Sequence, residues 1–101
     1  MTGRLRLPHR RETVLFEFRG APYTLGVGRF EDGALAAVSF DRSAESNAQI
    51  SDDAKDAAAC LSIALQYGAP AHVIRDAVTR TSDGAAAGVI GHILDLLESS
   101  E

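Results

Sequence analysis

Hydrophobic and polar positions alternate along the first third of the chain and then switch to helical spacing. Val14, Phe16 and Phe18 interleave with Thr13, Leu15, Glu17 and Arg19, a period of two that predicts a strand with one strongly apolar face. Gly20-Ala21-Pro22 supplies the turn that ends it. A second strand is expected over residues 23–30, with Tyr23, Leu25 and Val27 on one face. Gly26 and Gly28 share the other face, where a segment can pack directly on the backbone. Glu31-Asp32-Gly33 reads as a three-residue hairpin loop with Gly33 in the left-handed position. A third strand over 34–41 sets Ala36, Val38 and Phe40 on one side.

Residues 42–51 are polar and form the longest loop. Ser51 is then a good N-cap, and Asp52 and Asp53 suit the positive end of a helix. The helix is expected to reach Tyr67, with Ala54, Ala57, Ala58, Leu61, Ala64 and Leu65 as its buried stripe. Gly68 ends it and Pro70 bars its continuation. A second helix is expected over 71–79, a turn at Thr81-Ser82-Asp83-Gly84, and a last helix over 88–98 carrying Val89, Ile90, Ile93, Leu94 and Leu97. Three strands followed by three helices is a segregated order. It predicts an α+β fold, a three-stranded antiparallel meander with three helices packed on one sheet face. The expected core is Phe16, Phe18, Val27, Val38, Phe40, Leu61, Leu65, Ile74 and Leu94.

At 101 residues the chain has room for one core, and 46% hydrophobic with 24% charged residues is the composition of a folded domain. Charge divides it further. Residues 1–12 hold four arginines against one glutamate, net +3, and read as a basic N-terminal arm. Residues 13–101 form the single domain, with six basic and thirteen acidic side chains, net −7. An acidic body repels phosphate backbones, which disfavours direct nucleic-acid binding. The arm can touch an anionic partner or lie across that body, the second being the expectation. No run approaches the roughly 20 apolar residues of a membrane span, and the opening MTGRLRLPHRRE lacks the apolar stretch of a secretory signal. With Cys60 as the single cysteine, the expected compartment is the cytoplasm.

Chemistry-bearing residues are sparse. His9, His72 and His92 have no cysteine or histidine at ligand spacing, so neither metal nor cofactor is expected. His72 with Asp76, and His92 with Asp95, read as surface ion pairs, His92 alternatively as half-buried at a helix seam. Cys60 lacks the cationic neighbours that activate a thiol and is expected as a small core residue. Gly26-Val27-Gly28 lies inside a strand, the wrong context for a dinucleotide loop. The turn from Gly84 to Gly88 has amides suited to an anion, but no Lys follows. The serines Ser39, Ser43, Ser46, Ser51 and Ser62 have no nearby base and orienting group, and the chain reads as a non-enzyme.

Three segments carry a family resemblance: GRFEDGALAAVSF, DAAACLSIALQYGAPAHVIRDAV and IGHILDLL. They resemble the TSCPD-type domain, found near the C-terminus of cobalamin-dependent ribonucleotide reductases and as small free-standing proteins. The similarity spans about residues 10–97, and its most specific piece is Ser62-Ile63-Ala64-Leu65-Gln66-Tyr67-Gly68-Ala69-Pro70. The chain departs from the family where a Glu-[VI]-Phe strand becomes Ala37-Val38-Ser39. A Gly-Lys-x-Gly-Ser stretch becomes Asp41-Arg42-Ser43-Ala44-Glu45-Ser46, and the cysteine motif that names the domain is missing. The resemblance implies an accessory, protein-binding module, since in the reductases the radical chemistry belongs to the barrel. Two other readings stand beside it: a small-molecule or anion-binding regulator, and a mobile-element-encoded inhibitor docking on a host or nucleoprotein complex through its acidic surface. Expected contact residues are Arg29, Arg42, Glu45, Ser46, Asp83 and Gly84, and a homodimer or partner complex is expected through the sheet.

Overall fold

Two-residue periodicity becomes three strands, β1 (Arg10–Phe18), β2 (Ala21–Arg29) and β3 (Leu35–Phe40), in an antiparallel sheet of order β1-β2-β3. Three helices follow, α1 (Asp52–Gln66), α2 (Ala71–Ala77) and α3 (Val89–Glu98). The computed structural model describes residues 6–41 and 50–98. The α+β architecture is the one that the element order implies. No helix among these residues is long and apolar enough to cross a membrane.

Register fixes the faces. Val14 pairs with Leu25 and Leu25 with Phe40, while Glu12, Val27 and Val38 form the next row. These rows, with Phe16 and Tyr23, turn toward the helices, and Leu25, Val27, Val38, Leu61, Leu65, Ile93 and Leu94 close into the core. Arg11, Thr13, Leu15, Glu17, Gly26 and Ser39 occupy the opposite, helix-free face.

The β1–β2 turn is Arg19-Gly20, not Gly20-Ala21-Pro22. Both residues have positive φ, 54° and 79°, as a tight two-residue hairpin demands. Pro22 pairs with Glu17 inside β2, which a proline tolerates where its nitrogen faces away from the neighbouring strand. The β2–β3 loop is as expected: Phe30 N–H donates to Ala34 at 2.8 Å, and Gly33 has φ +90°. β1 also starts earlier than its apolar pattern, because Arg10, Arg11 and Glu12 pair with Arg29, Gly28 and Val27. Those three residues, expected in the arm, belong to the sheet.

Helix α1 begins where Ser51 accepts the Ala54 N–H at 3.2 Å. It ends in a Schellman motif: Ala69 N–H donates to Ala64 at 3.0 Å, Gly68 N–H donates to Leu65 at 3.1 Å, and Gly68 has φ +107°. Helix α2 is shorter than expected and buries no residue, so Ile74 is only half-buried. Phe16 and Phe18 are likewise half-buried, because they lie on an edge strand. Cys60 is exposed rather than core, since it falls outside the Ala58–Leu61–Leu65 stripe of α1.

Candidate functional site

The two edges of the sheet are finished differently. Along β3, α1 acts as a cap. The Ser62 hydroxyl accepts the Val38 N–H at 2.9 Å and lies 2.9 Å from both the Val38 and Ala58 carbonyls, which share its single proton. One turn later Gln66 Nε2 donates to the Ala36 carbonyl at 3.3 Å. Two polar side chains at i and i+4 thus take up the outward N–H and C=O of Val38 and the outward C=O of Ala36, on an edge that would otherwise present them unpaired. Ser62 and Gln66 are the polar residues of the segment on which the family resemblance is most specific, so their spacing has a physical reason.

The arm reinforces the same corner. Arg6 N–H donates to the Gln66 carbonyl at 2.9 Å, its guanidinium sits 3.9 Å above the Phe30 ring, and His9 N–H donates to Arg29 at 2.8 Å. Between them Pro8 packs on the helix-free face, where a Cβ at Gly28 would stand 2.9 Å from it. The glycine is required by that approach.

At β1 the arrangement reverses. Val38 and Ala36 turn their backbone groups outward to α1, and ladder alternation then carries the pattern across the sheet. Residues Glu12, Val14 and Phe16 face β2, while Arg11, Thr13, Leu15 and Glu17 point N–H and C=O away from it. No described strand pairs with that side. Leu15 is 76% exposed, on the helix-free face at the open edge.

The described residues expected to make contacts are each committed within the fold. Arg29 is committed within the fold, donating from Nε to Glu12 at 3.2 Å and from Nη1 to the Gly33 carbonyl at 3.0 Å. Asp83 is bonded by the Thr81 hydroxyl and accepts the Ala85 N–H at 3.1 Å, which holds its carboxyl below the usual value, the Thr81 bond contributing most. Gly84, with φ +90°, donates to Thr81 at 3.0 Å, and Ala87 N–H donates to Thr79 at 3.0 Å. Of the amides from Gly84 to Gly88 read as an anion cradle, those of Gly84, Ala85 and Ala87 therefore have internal partners. Arg42, Glu45 and Ser46 lie outside the described residues.

Sequence spacing missed one cluster altogether. Asp95 on α3 receives Arg75 Nε at 2.9 Å, Arg80 Nη1 at 2.6 Å and Arg80 Nη2 at 2.9 Å. Arg80 also donates to the Arg75 carbonyl at 3.0 Å. The Arg80 hydrogen bonds above all hold the Asp95 carboxyl down at about 2. This clamp ties α2 and the following turn to α3. His92, expected to pair with Asp95 or to lie at a helix seam, sits half-buried with its ring 5.7 Å from Phe16 and 5.1 Å from Phe18. Among the described residues, no group of three His, Cys, Asp or Glu side chains is placed to hold a metal ion. Set against known proteins, the chain matches no family model, no curated protein and no solved structure.

Proposed function

We propose that the chain is a non-catalytic accessory module that works by binding another protein through the helix-free face of its sheet. The observation that carries this reading is the part of that face beyond the Pro8 contact at Gly28, on the β1 side. It is flat backbone at Gly26, small at Thr13 and Ser39, charged at Arg11 and Glu17, and carries an exposed Leu15 on the edge strand. An apolar anchor inside a polar rim is the usual anatomy of a protein-binding patch. Two groups of described charges serve the fold instead: Arg29 with Glu12, and Arg75 and Arg80 with Asp95. The resemblance to the reductase accessory domain points the same way and makes a reductase catalytic subunit the first partner to try. An exposed, unpaired Cys60 thiol suits a reducing, cytoplasmic setting.

Affinity capture from the native host with the wild-type chain and with Leu15→Glu tests the reading. A defined protein is expected to be retained by the wild type, lost with the variant, and to bind directly when purified. Equal retention of every captured protein by both baits would overturn it.

A further inference from the structure

We infer that β1 is a self-pairing edge, and that two copies of the chain join antiparallel strands with Val14 on the two-fold axis to form a continuous six-stranded sheet. The inference stands on the open edge and does not require the foreign partner. Because Arg11, Thr13, Leu15 and Glu17 direct their backbone groups outward, the pairing must be built from these residues. With Val14 on the axis, Thr13 lies opposite Leu15 of the second copy and Arg11 lies opposite Glu17. The four pairs exchange about eight backbone hydrogen bonds in an ordinary antiparallel ladder.

Charge selects this register. Paired residues of a continuous sheet must share a face, so the axis can move only in whole-residue steps that keep that match. Moving it to Leu15 sets Arg11 against Arg19, a like-charge contact at both ends. Moving it to Thr13 sets Arg11 against Leu15 and leaves Glu17 against His9, off the end of β1. Only the Val14 register places both arginines against both glutamates, as self-complementary two-fold contacts require. Among the described residues, neither Arg11 nor Glu17 enters a salt bridge within its own chain. On the helix side the half-buried Phe16 and Phe18 lie opposite Glu12 and Arg10 of the second copy. At the opposite edge α1 occupies the outward groups of Val38 and the Ala36 carbonyl, which disfavours further pairing there and a run-on fibre.

Analytical ultracentrifugation of the purified full chain over about 1–100 µM provides the test, with circular dichroism confirming that each variant is folded. The wild type is expected to be a dimer that dissociates on dilution. Arg11→Glu places like charges opposite each other twice and is expected to weaken the dimer at least about tenfold. Combining it with Glu17→Arg should restore the wild-type constant to within about threefold. Thr13→Pro removes an outward N–H without touching the β1–β2 ladder, and should give a folded monomer. A folded wild type that stays monomeric throughout overturns the inference, as does a dimer indifferent to Arg11→Glu and Thr13→Pro. A monomeric wild type that still loses a captured protein on Leu15→Glu separates failure here from failure of the partner reading.

Discussion

Replacing Ser62 by Ala removes one oxygen and uncaps the β3 edge. Val38 is 2% exposed, and the Ser62 hydroxyl accepts its N–H at 2.9 Å, so water cannot readily take over. Leaving a buried amide unsatisfied costs about 1–3 kcal/mol. The better helix propensity of Ala returns roughly half a kcal/mol. A net loss of about 1–2 kcal/mol lowers Tm by roughly 5–15 °C, since 1 kcal/mol is worth about 4–8 °C in a domain this small. Thermal melts followed by circular dichroism measure it. Ser39→Ala, on the same strand but exposed, is the control and should shift stability by less than about 0.5 kcal/mol. If Ser62→Ala melts with Ser39→Ala and the wild type, the edge is not held by this hydroxyl and the capping account is wrong.

Other consequences concern the core, the clamp and the thiol. Leu65→Ala empties a site that is 2% exposed and should cost about 2–5 kcal/mol in chemical denaturation; an unchanged midpoint would remove Leu65 from the core. Asp95 has a carboxyl lowered from 3.8 to about 2, so its contribution is present above pH 4 and drains away as pH falls toward 2. Since its side chain is 30% exposed, solvent screening limits the contribution to about 1–2 kcal/mol. The Tm gap between wild type and Asp95→Asn should therefore close below pH 4, and a gap independent of pH would contradict the clamp. Cys60 should react with a thiol reagent in the folded protein without denaturant; a requirement for denaturant would return it to the core.

Periodicity located every strand and helix because each turns one face, buried or half-buried, toward the core, and that imposes a period of two or 3.6. The misplacements came where another force set the structure. Arg10, Arg11 and Glu12 join β1 through backbone pairing, which leaves no apolar trace. Pro22 looked like a turn residue, but Arg19-Gly20 turns the chain by adopting positive φ at both positions. Cys60 resembled a core residue in size and polarity, and only its angle around α1 excludes it. Arg75, Arg80 and Asp95 are 20 and 15 positions apart in their pairings, beyond any helical spacing. Ser62 and Gln66 did leave a signal, polar residues one turn apart in the otherwise apolar second half of α1. Reading it required knowing that α1 docks on a strand edge.

That asymmetry between edges is open to direct observation through residue-resolved amide exchange at a low and a high protein concentration. At low concentration Val38, Val14 and Phe16 should be protected, while Thr13, Leu15 and Glu17 exchange rapidly. At high concentration those three should become protected as β1 pairs with its copy. Val38 exchanging as fast as Thr13, or Thr13 and Leu15 showing the same protection at both concentrations, would contradict a sheet closed at β3 and open at β1.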